Sequence, residues 1–209
     1  MFDCRHLSRA AVAALLLAGC GDSQSPGDTT RLSILLTDAP GDVLEAVVTI
    51  EAVQLVDEGG ILTLTDGPTT LDLLTLADAT LDLVADAIVP AGTYTELRFI
   101  VSGAYIAVEN EDGSSSIYAS SPDYSGLPEN AEVAGQLQMP SFAQTGIKVT
   151  LEGDALTLTG DSKVLLVDFD VEQSFGQLAR QSGMWVMHPV ITGGEVTGEA
   201  LGIASGARS

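Results

Sequence analysis

From Arg31 onward the apolar residues of this 209-residue chain recur mostly at every second position, and that spacing restricts the fold more than any other feature. Successive side chains of a strand point to opposite faces, so period-two alternation predicts strands with one buried and one wet face. Ile147, Val149 and Leu151 alternate with Lys148, Thr150 and Glu152, and Leu97, Phe99 and Val101 alternate with Glu96 and Arg98. Ala46, Val48 and Ile50 share one phase while Val53 and Leu55 share the other, which predicts a bulge near Ala52. Further strands are expected from Leu32 to Thr37, Thr70 to Leu74, Val164 to Val171 and Met184 to Ile191. Turn sequences such as Asp38-Ala39-Pro40-Gly41-Asp42, Pro90-Ala91-Gly92 and Gly153-Asp154 separate them.

One segment competes with this pattern. Leu73, Leu76, Ala77, Thr80, Leu81, Val84, Ala85 and Ile88 sit at helical spacing, and a short helix is expected around Leu76 to Ala85. The fold class is therefore mainly β: an antiparallel β-sandwich, immunoglobulin-like or transthyretin-like, with one short helix covering an open end. The stretch from Ala119 to Gln138 has few β-branched residues and reads as a long surface excursion. The sandwich domain is expected over residues 31–192. A polar, flexible tether precedes it over 20–30, and 193–209 is expected to be a C-terminal edge strand or a disordered tail.

The N-terminus carries an address. Arg5 and Arg9 give a basic start, and Ala10 to Ala18 is an uninterrupted apolar run. About nine residues make roughly 14 Å of helix, half of a ~30 Å hydrocarbon layer, so residues 1–19 read as a secretory signal and not as a span. Leu15-Leu16-Leu17-Ala18-Gly19-Cys20 resembles the lipobox of bacterial lipoproteins. The resemblance implies that Cys20 becomes the mature N-terminus and carries a thioether-linked diacylglycerol and an amide-linked acyl chain. Several chains, at ~0.8 kcal/mol per buried CH₂, make such an anchor effectively permanent. Gly21, where aspartate is associated with inner-membrane retention, favours the outer membrane of a Gram-negative bacterium, with the domain facing the periplasm or the outside. Cys4 leaves with the signal and Cys20 is consumed by lipid, so no thiol remains for a disulfide or a thiolate metal site.

The formal net charge of −21 excludes nucleic acid as a partner, and removing Arg5, Arg9 and Asp3 with the signal makes it one unit more negative. His188 is the sole histidine after the signal, so a nucleophilic triad would have to use it. It stands before Pro189 beside Trp185 and Met187, and no Gly-x-Ser-x-Gly elbow occurs. One imidazole and no thiol also leave zinc without its usual ligands.

Carboxylates are abundant. Asp168 and Asp170 lie two residues apart in a strand, hence on one face and roughly 7 Å from each other, a spacing that suits calcium ligation or a glycosidase pair. Asp38 and Asp42 bracket a Pro-Gly turn, where carboxylates also cap local amides. Asp38, Asp42, Asp168 and Asp170 are thus the calcium candidates, against the simpler reading of a solvated strand face and an Asx-turn. Glu109 to Gly113 fails as a calcium loop, because the first ligand position would be Val108 and the twelfth Ala119. Asp112-Gly113 reads instead as a tight hairpin. No catalytic residue and no resident cofactor are expected, calcium being the one candidate ion.

Several of these stretches fall in a recognisable order: Leu35-Leu36-Thr37-Asp38-Ala39-Pro40, then Pro90-Ala91-Gly92-Thr93-Tyr94-Thr95, then Pro140-Ser141-Phe142-Ala143-Gln144-Thr145-Gly146-Ile147-Lys148, then Val167-Asp168-Phe169-Asp170, and finally Pro189-Val190-Ile191. Together they resemble the family of domain of unknown function 4382, whose members are typically predicted lipoproteins of Gram-negative bacteria. The resemblance runs from about Leu32 to Thr192 and implies little about activity. The expected function is a lipid-anchored envelope module that binds an unknown envelope protein or glycan, touches the membrane through Cys20 and catalyses nothing. The alternative is a carboxylate-dependent hydrolase of envelope or extracellular glycans.

Overall fold

A computed structural model describes residues 28–39, 43–65, 67–140, 142–160, 162–175, 178–179 and 184–196. Cys20, Asp42 and the Pro40-Gly41 turn lie outside the described residues. In chain order the strands are β1 (Thr29–Ala39), β2 (Glu45–Asp57), β3 (Gly60–Thr63), β4 (Thr69–Asp72), β5 (Leu81–Pro90), β6 (Gly92–Tyr94), β7 (Glu96–Glu109) and β8 (Ser115–Ala119). They continue as β9 (Val133–Gln138), β10 (Ile147–Leu151), β11 (Leu156–Leu158), β12 (Ser162–Asp170), β13 (Leu178–Ala179), β14 (Met184–Val186) and β15 (Val190–Glu195). The helical pieces are a 3-10 turn at Leu73–Leu76 and two single turns, α1 (Phe142–Thr145) and α2 (Val171–Phe175).

The protein is mainly β and folds as a sandwich. One layer runs β15-β12-β1-β5, and the other is built on the long β2–β7 pair, extended on one side by β3 and β4 and on the other by β8-β9-β14-β13. Strand β10 joins the layers: Ile147 to Val149 pair antiparallel with β7, while Thr150 and Leu151 pair parallel with β15. Between them lies one core, with Leu32, Ile34, Leu36, Val167 and Phe169 from the first layer meeting Val48, Ile50, Leu55, Leu97 and Phe99 from the second. Burying such side chains at about 25 cal/mol per Å² of apolar surface is the main force holding the layers together.

Most strand pairs are antiparallel, as expected, but β1–β12, β10–β15, β8–β9 and β14–β9 are parallel. The bulge expected near Ala52 is present. Register shifts between Thr49, Ile50 and Ala52 leave Glu51 out of the ladder and keep Ala46, Val48, Ile50, Val53 and Leu55 all buried. Ser102 is skipped on the facing strand.

The helix expected over Leu76 to Ala85 is not formed; the chain makes only the 3-10 turn ending at Leu76, and Leu81 onward is β5. Two irregularities in the β1–β5 register explain the false period. They place Leu83 and Val84 both inside, and Asp86, at φ 49°, bulges with its N–H donating to Ser33 Oγ at 3.1 Å. Apolar residues then recur at three- and four-residue intervals without any helix. Other boundaries shift for local reasons. Pro189 separates β14 from β15, and the strand read as Val164 to Val171 ends at Asp170, where α2 begins. Strand β15 lies between β12 and β10 and is no edge. The excursion after Ala119 is a loop only over residues 120–132 before β9 resumes.

Two family motifs have local roles. In Pro90 to Thr95 the Tyr94 hydroxyl donates to the Pro90 carbonyl at 2.8 Å, closing the β5–β6 corner. In Pro140 to Lys148, α1 stops at Gly146, at φ 73°, where a Cβ would meet Ile100 Cδ1 at 2.9 Å.

Candidate functional site

The parallel register of β1 and β12 decides where the candidate carboxylates go. Asp38 pairs with Phe169, Thr37 with Asp168 and Ala39 with Asp170. Because faces alternate along a strand, Asp38 shares the interior face with Leu36 and Phe169, while Asp168 and Asp170 occupy the opposite face. Asp38 is only 5% exposed. Its Oδ1 accepts the Val171 N–H at 3.2 Å, and Oδ2 is buried with no partner among the described residues. Burial, reinforced by the charges of Asp168, Asp170 and Asp72 and opposed by the Val171 amide, pushes its carboxyl up to about 7.

Asp170 caps α2, accepting the Gln173 N–H at 2.8 Å on Oδ1 and the Gln173 side-chain amide on Oδ2. Asp72, the nearby fourth charge, accepts the Ala46 and Leu74 amides at 3.0 and 3.2 Å. These carboxylates therefore serve backbone amides at element ends. Among the described residues no three His, Cys, Asp or Glu side chains group so as to hold a metal ion.

Asp168 has a different setting. Burial and the Asp170 charge raise its pKa, and it lines a depression of about 400 Å³ on the outer face of β10-β15-β12. Glu152 and Glu195 also line it, with Gly193, Gly194 and the 37%-exposed Leu166. Glu195 is already paired with Lys163 Nζ at 2.5 Å. His188 is exposed and contributes a backbone N–H to the Ser174 carbonyl, while Ser174 Oγ accepts the Val190 amide at 2.9 Å.

A second concavity lies on the other layer and was not foreseen. Strand β7 pairs with β10 through Leu97 to Phe99 and with β8 through Tyr105 to Glu109, so its neighbours splay apart around the skipped Ser102. Into the gap fit α1 on one side and the start of the 120–132 loop on the other. The result is a depression of about 270 Å³ lined by Ser102, Ser120, Gln136, Gln138, Phe142 and Gln144, among others. Ser120 and Gln136 also border an adjoining depression of about 280 Å³ reaching Pro122 and Val133. Among the described residues no charged one lines either depression.

The loop beside this groove is tightly held. Tyr124 lies over Gly103, where an added Cβ would come within 2.4 Å of the ring. Its hydroxyl meets Thr49 Oγ1 at 2.7 Å, Thr49 in turn meets Thr70 at 2.7 Å, and Leu127 and Val133 pack with Val47, Tyr105 and Ala119 in a small second core. Sequence reasoning missed the groove because serine and glutamine carry no chemical signature of their own. The one available signal was Gln136 and Gln138 alternating with buried Leu137.

Comparison with protein families matches the chain to the model described as domain of unknown function (DUF4382), over residues 29–189. The chain belongs to the DUF4382 family. The match spans the DUF4382 region from β1 to the residue before β15, and every motif that carried the resemblance lies within it or reaches its end. No curated protein and no solved structure matches the chain significantly.

Proposed function

We propose that this DUF4382 protein is a lipid-anchored binding module of the Gram-negative outer membrane, joined through Cys20 and acting without catalysis on an envelope protein or glycan. The observation that carries the non-enzymatic part is the employment of the carboxylates. Asp38 and Asp170 accept backbone amides and Glu195 is ion-paired, which leaves Asp168 and Glu152 as the carboxylates of the outer depression that the hydrolase alternative would have to use. The anchor rests on the lipobox resemblance of Leu15 to Cys20 and on the polar tether that follows.

Two measurements test the proposal. Mass spectrometry of the protein extracted from envelopes is expected to find Cys20 as the N-terminus, carrying diacylglycerol and an acyl chain, and Cys20→Ala is expected to release the protein from membranes; a different mature N-terminus overturns the anchor. Incubation with a panel of glycans and esters is expected to yield no products. Turnover that disappears in Asp168→Asn overturns the non-enzymatic reading in favour of the hydrolase. Protease treatment of intact cells then separates an outward-facing domain, which is cleaved, from a periplasmic one, which is protected until lysis.

A further inference from the structure

We infer that the groove between α1, β9 and the 120–132 loop is a binding site for a neutral oligosaccharide chain. This deepens the binding-module reading and rests on it. The first observation is the chemistry of the lining. In a chain where 18% of residues are charged, no charged residue lines the two adjoining depressions among the described residues, so none of these would repay the desolvation of an ionic ligand.

The second observation is unspent hydrogen-bonding capacity. The side-chain amides of Gln136, Gln138 and Gln144 and the hydroxyl of Ser102 make no hydrogen bond to any described residue. Ser120 Oγ accepts the Ala104 N–H at 3.1 Å, which holds the side chain in place and leaves its O–H to donate outward. An amide presents donors and an acceptor together, the same mixture that a sugar hydroxyl presents. Phe142, half-buried at the rim, offers an aromatic surface for the apolar C–H face of a pyranose ring.

Shape gives the third. Each depression falls just under the roughly 300 Å³ at which small-molecule pockets begin, and the two adjoin through Ser120 and Gln136. An open, two-part groove suits a short run of sugar units in a chain better than one enclosed small molecule. An extended peptide would find only the short stretch of β7 between its β10 and β8 pairings on which to add a strand. The groove is also preorganised, since Tyr124 fixes its loop wall and the Gly146 turn fixes α1.

The test uses the full-length protein in detergent micelles, titrated with short oligomers of glucose, mannose, galactose and N-acetylglucosamine. Polygalacturonate serves as the charged arm and a random-sequence peptide pool as the peptide arm. At least one neutral oligomer is expected to bind. Gln138→Ala combined with Gln144→Ala is expected to weaken that binding by about tenfold, as the loss of two neutral hydrogen bonds predicts, with unchanged circular dichroism because both residues are exposed. Asp168→Asn is expected to bind as the wild type does. The inference is overturned if no neutral oligomer binds, if the double variant binds normally, if Asp168→Asn abolishes binding, or if polygalacturonate or peptide alone occupies the protein. Release of shorter sugars from a bound oligomer would instead overturn the non-enzymatic reading, so the two failures are distinguishable.

Discussion

Asp38 has the environment least suited to its charge. Its folded pKa of about 7 lies above the ordinary 3.8, so the fold favours the protonated acid. The stabilisation is therefore complete below pH 4 and is lost as pH rises towards 7. Urea unfolding between pH 4 and 8 is expected to show stability declining over that window. Asp38→Asn, a neutral isostere, should remove the decline and be the more stable form at pH 8; an unchanged slope in the variant would show that other groups cause it. The position of Asp38 is partly legible in the sequence. Its parity with Leu32, Ile34 and Leu36 puts it on the buried face, but only the parallel pairing with β12 reveals that Asp168 and Asp170 stand behind it.

Among elements, the 120–132 loop departs most from its sequence character. Few β-branched residues and several turn formers suggest a loose excursion, yet one aromatic ring seated on a glycine ties it down. Gly103→Ala is expected to displace Tyr124 and cost about 1 to 3 kcal/mol, the usual range for overpacking. Limited proteolysis should then cut within the loop while the main core persists, and cutting at β5 or β12 instead would mean that the loop supports the whole sandwich. No local pattern could announce this contact, because Gly103 and Tyr124 belong to separate segments. Strand β5 illustrates the opposite problem. Its two irregularities imitate a helical repeat, so the sequence signal there is clear but misleading. Where strands are regular, as in β7 and β12, alternation identifies the buried residues directly.

For the whole molecule, the net charge of −21 means that cations stabilise by general screening. Because Asp38 and Asp170 already serve amides, calcium and magnesium at equal ionic strength are expected to raise the melting temperature equally. A shift of several degrees specific to calcium would require a site that includes residues such as Asp42 outside the described set. The topology carries a mechanical consequence as well. The first strand and the last described strand, β1 and β15, flank the same central strand β12. A pull along the N-terminal end of β1 slides it lengthwise against β12, from the Arg31–Ser162 pair to the Ala39–Asp170 pair, so the whole row of hydrogen bonds resists together and none can be peeled away first.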